Sequence, residues 1–179
     1  TSTVLTLLLL PLMYEWVGRD TQLRPIILMA HQDVVPTPEP ERWKHPPFSG
    51  VIADGSIWGR GALDDKGPLI AILEAAESLA LADFTPERAI IFVFGHDEET
   101  GGDNGARMAA EQLAARGIKA EFVLDEGGIS ITPHPLTGKP ASLIGIAEKG
   151  YVTVQLEVTT AGGHSSSPGN RTAVDTLAQ

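Results

Sequence analysis

The chain predicts an α/β fold, a mainly parallel central sheet flanked by helices, and three observations carry that expectation. Short continuous apolar runs, PIILMA at 25–30, AIIFVFG at 89–95 and the front of KAEFVLDE at 119–126, have the length and unbroken apolarity of strands buried on both faces. Stretches with helical periodicity lie between them, and strands alternating with helices build a parallel sheet with helices on its faces. Each apolar run also stops at histidine or acid, and such sheets gather ligands beyond the carboxyl ends of their strands.

Bulk properties narrow the function. With 179 residues, 42% of them hydrophobic, the chain can bury a core. Thirteen Lys and Arg against 23 Asp and Glu give a formal charge of −10. The basic residues are scattered singly, so the surface that nucleic acid requires is not expected. The absence of cysteine excludes disulfides, thiolate metal sites and cysteine nucleophiles. VLTLLLLPLM at 4–13 is too short to span a bilayer, is broken by Pro11 and lacks a basic n-region. It is expected to be a strand and its lead-in, with no membrane partner, and the lack of a visible signal peptide favours the cytoplasm.

Taken in order, LMYEWV at 12–17 reads as a strand and GRDTQLRP as a turn. PIILMA stops at His31. From there to Gly50, prolines at 36, 38, 40, 46 and 47 exclude a helix and make a poor central strand, so a long loop is expected. VIADGSIWG at 51–59 places Asp54-Gly55 between two short apolar runs, the dipeptide of a two-residue hairpin turn. PLIAILEAAESLALA at 68–82 is an amphipathic helix with apolar residues at 69, 70, 73, 76 and 80 and Pro68 at its first position. AIIFVFG empties into HDEETGG at 96–102, and an alanine-rich helix over about 103–116 stops at Gly117. KAEFVLDE follows as a third core strand.

After a proline-broken loop at 132–140, YVTVQLEVTT changes character. Val152, Val154, Leu156 and Val158 alternate with polar residues at a period of two, the mark of a strand wet on one face. Such a strand belongs to a separate, antiparallel sheet, so a domain boundary is placed near 150, dividing 1–150 from 151–179. A glycine- and serine-rich loop with His164 follows, then a helix beginning near Asn170.

His31, Asp33, Asp64 and Asp65 lie in the loop-rich run 29–68, and two further acidic clusters, HDEETGG and LDEGG at 124–128, follow strand ends. Singly, each has an ordinary explanation. Asp64 and Asp65, or Asp97, Glu98 and Glu99, suit helix N-termini, His31 suits a hydrogen-bonded core position, and Asp125 a loop. Gathered at one sheet edge, however, several carboxylates raise one another's pKa values unless cations neutralise them. Imidazole with carboxylates is a donor set for zinc or a related divalent ion. A bridging carboxylate would give paired ions, and adjacent Glu98 and Glu99 divide into one coordinating and one proton-moving group.

HQD at 31, WGRGALDDKG at 58, HDEETGG at 96, LDEGG at 124, AEKG at 147 and GGHSSSP at 162 occur in one order, and with them the chain from about residue 12 resembles the dinuclear zinc exopeptidases. That family includes carboxypeptidase S, glutamate carboxypeptidase, acetylornithine deacetylase, succinyl-diaminopimelate desuccinylase and aminoacylase, and the wording is nearest the carboxypeptidase S branch. The resemblance implies His31 and Asp125 on one metal, Asp64 as the bridge and Glu99 on the other metal. It implies Asp33 as hydrogen-bond partner of the His31 ring and Glu98 as the general base that later protonates the leaving nitrogen. It also implies that the sheet from about 150 begins an α+β lid or dimerisation domain, where His164 stabilises the oxyanion. Arg60 and Lys66 are candidate substrate anchors or structural cations.

The expected activity is hydrolysis of an amide or peptide bond next to a free carboxylate, with a dipeptide or an N-acyl amino acid as substrate. Two divalent metal ions are expected, zinc by default with cobalt or manganese able to accept the same groups, and a homodimer in the full-length form. The alternatives are an N-acyl-amino-acid deacylase of the same family and, from another class, a catalytically inactive binding or assembly module. The family pattern also has a last histidine ligand beyond residue 179 and a longer region before HQD. A fragment is therefore expected, with the isolated chain hydrolysing little.

Overall fold

The computed structural model describes residues 13–147, 149–164 and 166–178. The apolar opening up to residue 12 lies outside the described residues. Two compact units are present, Thr1–Gly128 and Ile129–Gln179.

The first unit is built on four strands in the order β1-β5-β2-β6. These are β1 Met13–Trp16, β2 Ile26–His31, β5 Ile90–Gly95 and β6 Val123–Leu124. β5 and β6 run parallel to β2, and β1 runs antiparallel to β5 at the edge. The mainly parallel expectation holds, with one antiparallel edge strand. Side chains alternate across β5, so Ile91 and Val93 face one way and Phe92 and Phe94 the other. On the first face Ile27, Ile91 and Val93 pack with Ala109 and Leu113 of α2, Ala106–Ala115. On the second, Ala30, Phe92 and Phe94 meet Leu69, Ile72 and Ala76 of α1, Lys66–Leu81. Both faces of the sheet are thus covered, and this explains why its strands read as continuous apolar runs.

Details of the helices differ from the sequence reading. α1 starts at Lys66, so Pro68 sits in the first turn but two residues inside it. The first turn tolerates this because its N–H groups have no helical partner. Ile70 and Leu73 are exposed, because the sheet takes only the stripe through Leu69, Ile72 and Ala76. A short 3-10 turn, Glu98–Thr100, stands between β5 and α2. The hairpin forms as expected from β3 Val51–Ala53 and β4 Ser56–Trp58. Its corner residues Asp54 and Gly55 both take positive φ, 53° and 73°, as a two-residue turn matched to strand twist requires.

β6 is far shorter than the run 119–126 suggested. Phe122, Val123 and Leu124 are each about half exposed, and the strand pairs only with Ile27 and Leu28.

The second unit contains a hairpin of β7 Ile129–Ile131 and β8 Ala141–Leu143. It also holds α3, Ala173–Leu177, opened by a capping box in which Thr172 and Asp175 satisfy each other's backbone N–H groups. The expected strand at 151–159 is not formed: no regular structure is assigned there among the described residues. Alternation specifies two faces, but a strand also needs a neighbour for its backbone groups. Here Val152, Val154 and Leu156 remain 78%, 70% and 73% exposed.

Candidate metal centre

β2 and β5 end level with one another, His31 beside Gly95. Parallel register thereby sets the histidine next to the chain that turns into HDEETGG. His31 is 3% exposed, and its two ring nitrogens have different company. Nδ1 lies 3.1 Å from the Asp33 carbonyl oxygen and 3.3 Å from Asp33 Oδ1. In the neutral ring these acceptors hold the proton on Nδ1 and leave Nε2 facing the acids. Nε2 is 2.9 Å from Asp64 Oδ1, 3.5 Å from Glu126 Oε2 and 3.9 Å from Glu98 Oε2.

Asp33 has a second task. Its Oδ1 accepts the Glu98 N–H at 3.1 Å and its Oδ2 accepts the Glu99 N–H at 3.0 Å. One carboxylate thus joins the loop after β2 to the 3-10 turn that carries both glutamates. Glu99 in turn accepts the Val35 N–H at 3.2 Å. Asp65, 1% exposed, accepts the backbone N–H of His31 at 3.0 Å through Oδ2, so the start of α1 is tied to the end of β2.

The ionisation equilibria record this crowding. Burial pulls the His31 imidazole down, but the hydrogen bond to Asp64 and the charges of Glu126, Glu98 and Asp33 outweigh it, and the net shift is upward. Burial raises Glu98, His31 opposes it, and the Glu99, Asp33 and Asp64 charges add to the rise. Burial, followed by the Asp65 charge, lifts Glu126 from 4.5 to about 7. Asp65 is also raised by burial, against the His31 N–H. Asp33 moves the other way: burial opposes, and the two glutamate N–H groups prevail.

This donor set fits a divalent cation. His31, Asp64 and Glu99 offer ligand atoms that all lie within 4.8 Å of one another, and so do His31, Asp65 and Glu126. Asp65 Oδ1 is buried with no hydrogen-bond partner among the described residues, a costly state that a cation would relieve.

Of the residues singled out in the sequence, His31, Asp33, Asp64, Glu98 and Glu99 come together. Asp125, just past the end of β6, lies close enough to Asp65 for its charge to help raise that carboxyl, and the next residue, Glu126, approaches the imidazole. Sequence reasoning passed over Glu126 because side-chain direction after a two-residue strand has no periodicity to read. The sequence marks Asp65 as an acid but gives no sign that it accepts the His31 N–H. His164 belongs to the second unit, where its Nδ1 lies 2.8 Å from Ser166 Oγ. Lys66 donates to the Gln32 carbonyl at 2.6 Å, which gives it a structural contact.

Residues 27–179 match the model for peptidase family M20/M25/M40. The chain is 49% identical over 171 residues to a protein named probable carboxypeptidase S-like 2 of Dictyostelium discoideum, covering 94% of this chain and 33% of that one. It is 44% identical over 162 residues to the human N-fatty-acyl-amino acid synthase/hydrolase PM20D1, covering 90% and 32%. Among solved structures it is similar to the M20 family metallo-carboxypeptidase Sso-CP2 of Sulfolobus solfataricus, with a TM-score of 0.55, 28% identity and coverage of 64% of this chain and 25% of that one. The chain therefore spans about a third of the length of the curated relatives it matches. A match across most of the chain, joined to an acid-lined histidine at the carboxyl edge of the sheet, places it by descent as well as by geometry: the chain belongs to peptidase family M20/M25/M40.

Proposed function

We propose that the chain supplies the metal-binding part of a hydrolase that cleaves an amide or peptide bond next to a free carboxylate, as in a dipeptide. The observation that carries this reading is the convergence of His31, Asp64 and Glu99 within ligand distance of one another, with Glu98 beside them. His31, Asp64 and Glu99 would hold divalent cations, with Asp64 as the bridge and Asp125 or Glu126 completing the His31 side. Two zinc ions are the first choice, and cobalt or manganese would accept the same groups. When bound, the ions would polarise the scissile carbonyl and favour ionisation of the attacking water.

The protein's own groups do the rest. Asp33 orients the imidazole and, through the two N–H groups it accepts, fixes the backbone from which Glu98 and Glu99 project. Glu98 takes a proton from the attacking water and returns it to the leaving nitrogen, and burial with the nearby Glu99, Asp33 and Asp64 charges raises its proton affinity in the metal-free chain. For the second unit we propose a place in a lid or dimerisation domain of a homodimer, with His164 as the oxyanion donor.

A second reading within the class is hydrolysis of N-acyl amino acids, favoured by the 44% identity to a relative whose name states N-fatty-acyl-amino acid synthase/hydrolase. Glu98→Gln in the full-length protein should keep its metal and lose about 10²–10⁴-fold in turnover. Retention of full activity would remove Glu98 from the mechanism. A panel of Gly-Xaa dipeptides against N-acyl amino acids, compared by kcat/KM, separates the two substrate readings.

A further inference from the structure

Pro38, Glu39, Arg42 and Trp43 of the loop at 38–43 and Arg60, two residues past the β3–β4 hairpin, line a shallow open pocket of about 440 Å³. None of these residues belongs to the acid cluster. Arg60 is half-buried, its guanidinium carbon lies 5.0 Å from the centre of the Trp43 ring, and its Nε is buried with no hydrogen-bond partner among the described residues. Among the described residues its guanidinium makes no ion pair. Arg42, by contrast, is exposed and paired with Glu39.

The Trp43 ring, 5.0 Å from the guanidinium carbon, gives Arg60 a cation–π contact but supplies no oxygen. Arg60, Arg42 and Glu39 together leave the cavity with one net positive charge, in a chain whose formal charge is −10. A guanidinium fork matches the two oxygens of a carboxylate. Trp43 and Pro38 offer apolar surface beside it.

We propose that this cavity binds a carboxylate-bearing small molecule. Its carboxylate lies on Arg60, with Arg42 adding charge, and its apolar part rests on Trp43 and Pro38. The proposal does not depend on the metal centre or on the hydrolytic reading.

The test is calorimetric titration of the full chain with N-acetylphenylalanine and, separately, with its uncharged amide, each with and without chelator. The carboxylate should bind saturably and equally in both conditions, and the amide should bind at least tenfold more weakly. Arg60→Gln should weaken carboxylate binding about tenfold or more. Arg42→Gln, on an exposed residue, should fold normally and weaken it severalfold, so the proposal stays testable if the Arg60 variant misfolds. No binding of the carboxylate, equal binding of the amide, loss of binding with chelator, or both variants binding like the parent would each overturn it.

Discussion

Replacing Asp33 with alanine removes three contacts together: the acceptors of the Glu98 N–H at 3.1 Å and the Glu99 N–H at 3.0 Å, and the carboxylate oxygen 3.3 Å from His31 Nδ1. Hydrogen bonds to a charged acceptor are worth about 1.5–3 kcal/mol each. The Glu98 contact is open to water and falls at the low end, and that of Glu99 is half-buried. The histidine contact adds little, since the Asp33 carbonyl oxygen remains 3.1 Å from the same nitrogen. Asp33→Ala should therefore cost about 3 kcal/mol. Asp33→Asn, which keeps one oxygen but turns an amine toward the other N–H, should cost about 2 kcal/mol. Urea unfolding of the full chain in chelator, followed by circular dichroism, measures both without a metal contribution. A cost under about 1 kcal/mol for the alanine variant would refute the argument that this carboxylate holds the glutamate turn in place.

Three other outcomes follow from the same geometry. Glu126→Ala should lower metal occupancy, read by elemental mass spectrometry, more than Asp125→Ala does, because Glu126 lies 3.5 Å from His31 Nε2; the reverse order would favour Asp125 as the group that completes the His31 side. In the metal-free chain, burial and the Asp65 charge hold the Glu126 proton up to about pH 7, so this group's stabilising effect is complete below about 4.5 and fades as pH rises toward 7. The raised His31 acts with the same sign, its contribution present below its ordinary 6.5 and lost as pH climbs through its higher folded value. The chelated chain should melt at lower temperature near pH 8 than near pH 5, and a rise across that window would contradict the assignment. Ile91→Ala, at a site 1% exposed among Ile27, Val93, Ala109 and Leu113, should cost about 2–5 kcal/mol in urea; a loss under about 1 kcal/mol would mean the core lies elsewhere.

Much of the first unit was legible because its strands obey simple rules. Ile91 and Val93 against Phe92 and Phe94 need a sheet covered on both sides, and an unbroken apolar run says so. The Asp54-Gly55 corner was readable from backbone sterics alone. What escaped the sequence depends on partners distant along the chain. β6 forms only where it pairs with Ile27 and Leu28, and KAEFVLDE cannot report that. Val152, Val154 and Leu156 carry a strand's alternation without a strand's pairing. In the site, the residue types and their order were readable, whereas the choice between Asp125 and Glu126 turns on side-chain direction just past a strand end. The role of Asp65 was equally hidden, since its partner is a backbone N–H 34 residues away.

That backbone N–H has a consequence for the whole edge of the sheet. Along β2, the Ile26 N–H donates to the β5 side at Ala89, and the Ile27 N–H donates to the β6 side at Phe122. By alternation the N–H of His31 points to the β6 side as well, but β6 pairs only as far as Leu28. The Asp65 side chain enters where a longer strand would have run, finishing the ladder with a carboxylate in place of a carbonyl. A protein engineer who lengthened β6 by a few residues to strengthen the sheet would close that gap, evict Asp65 and detach the start of α1 from His31. Here a truncated strand is the doorway through which charge reaches the interior.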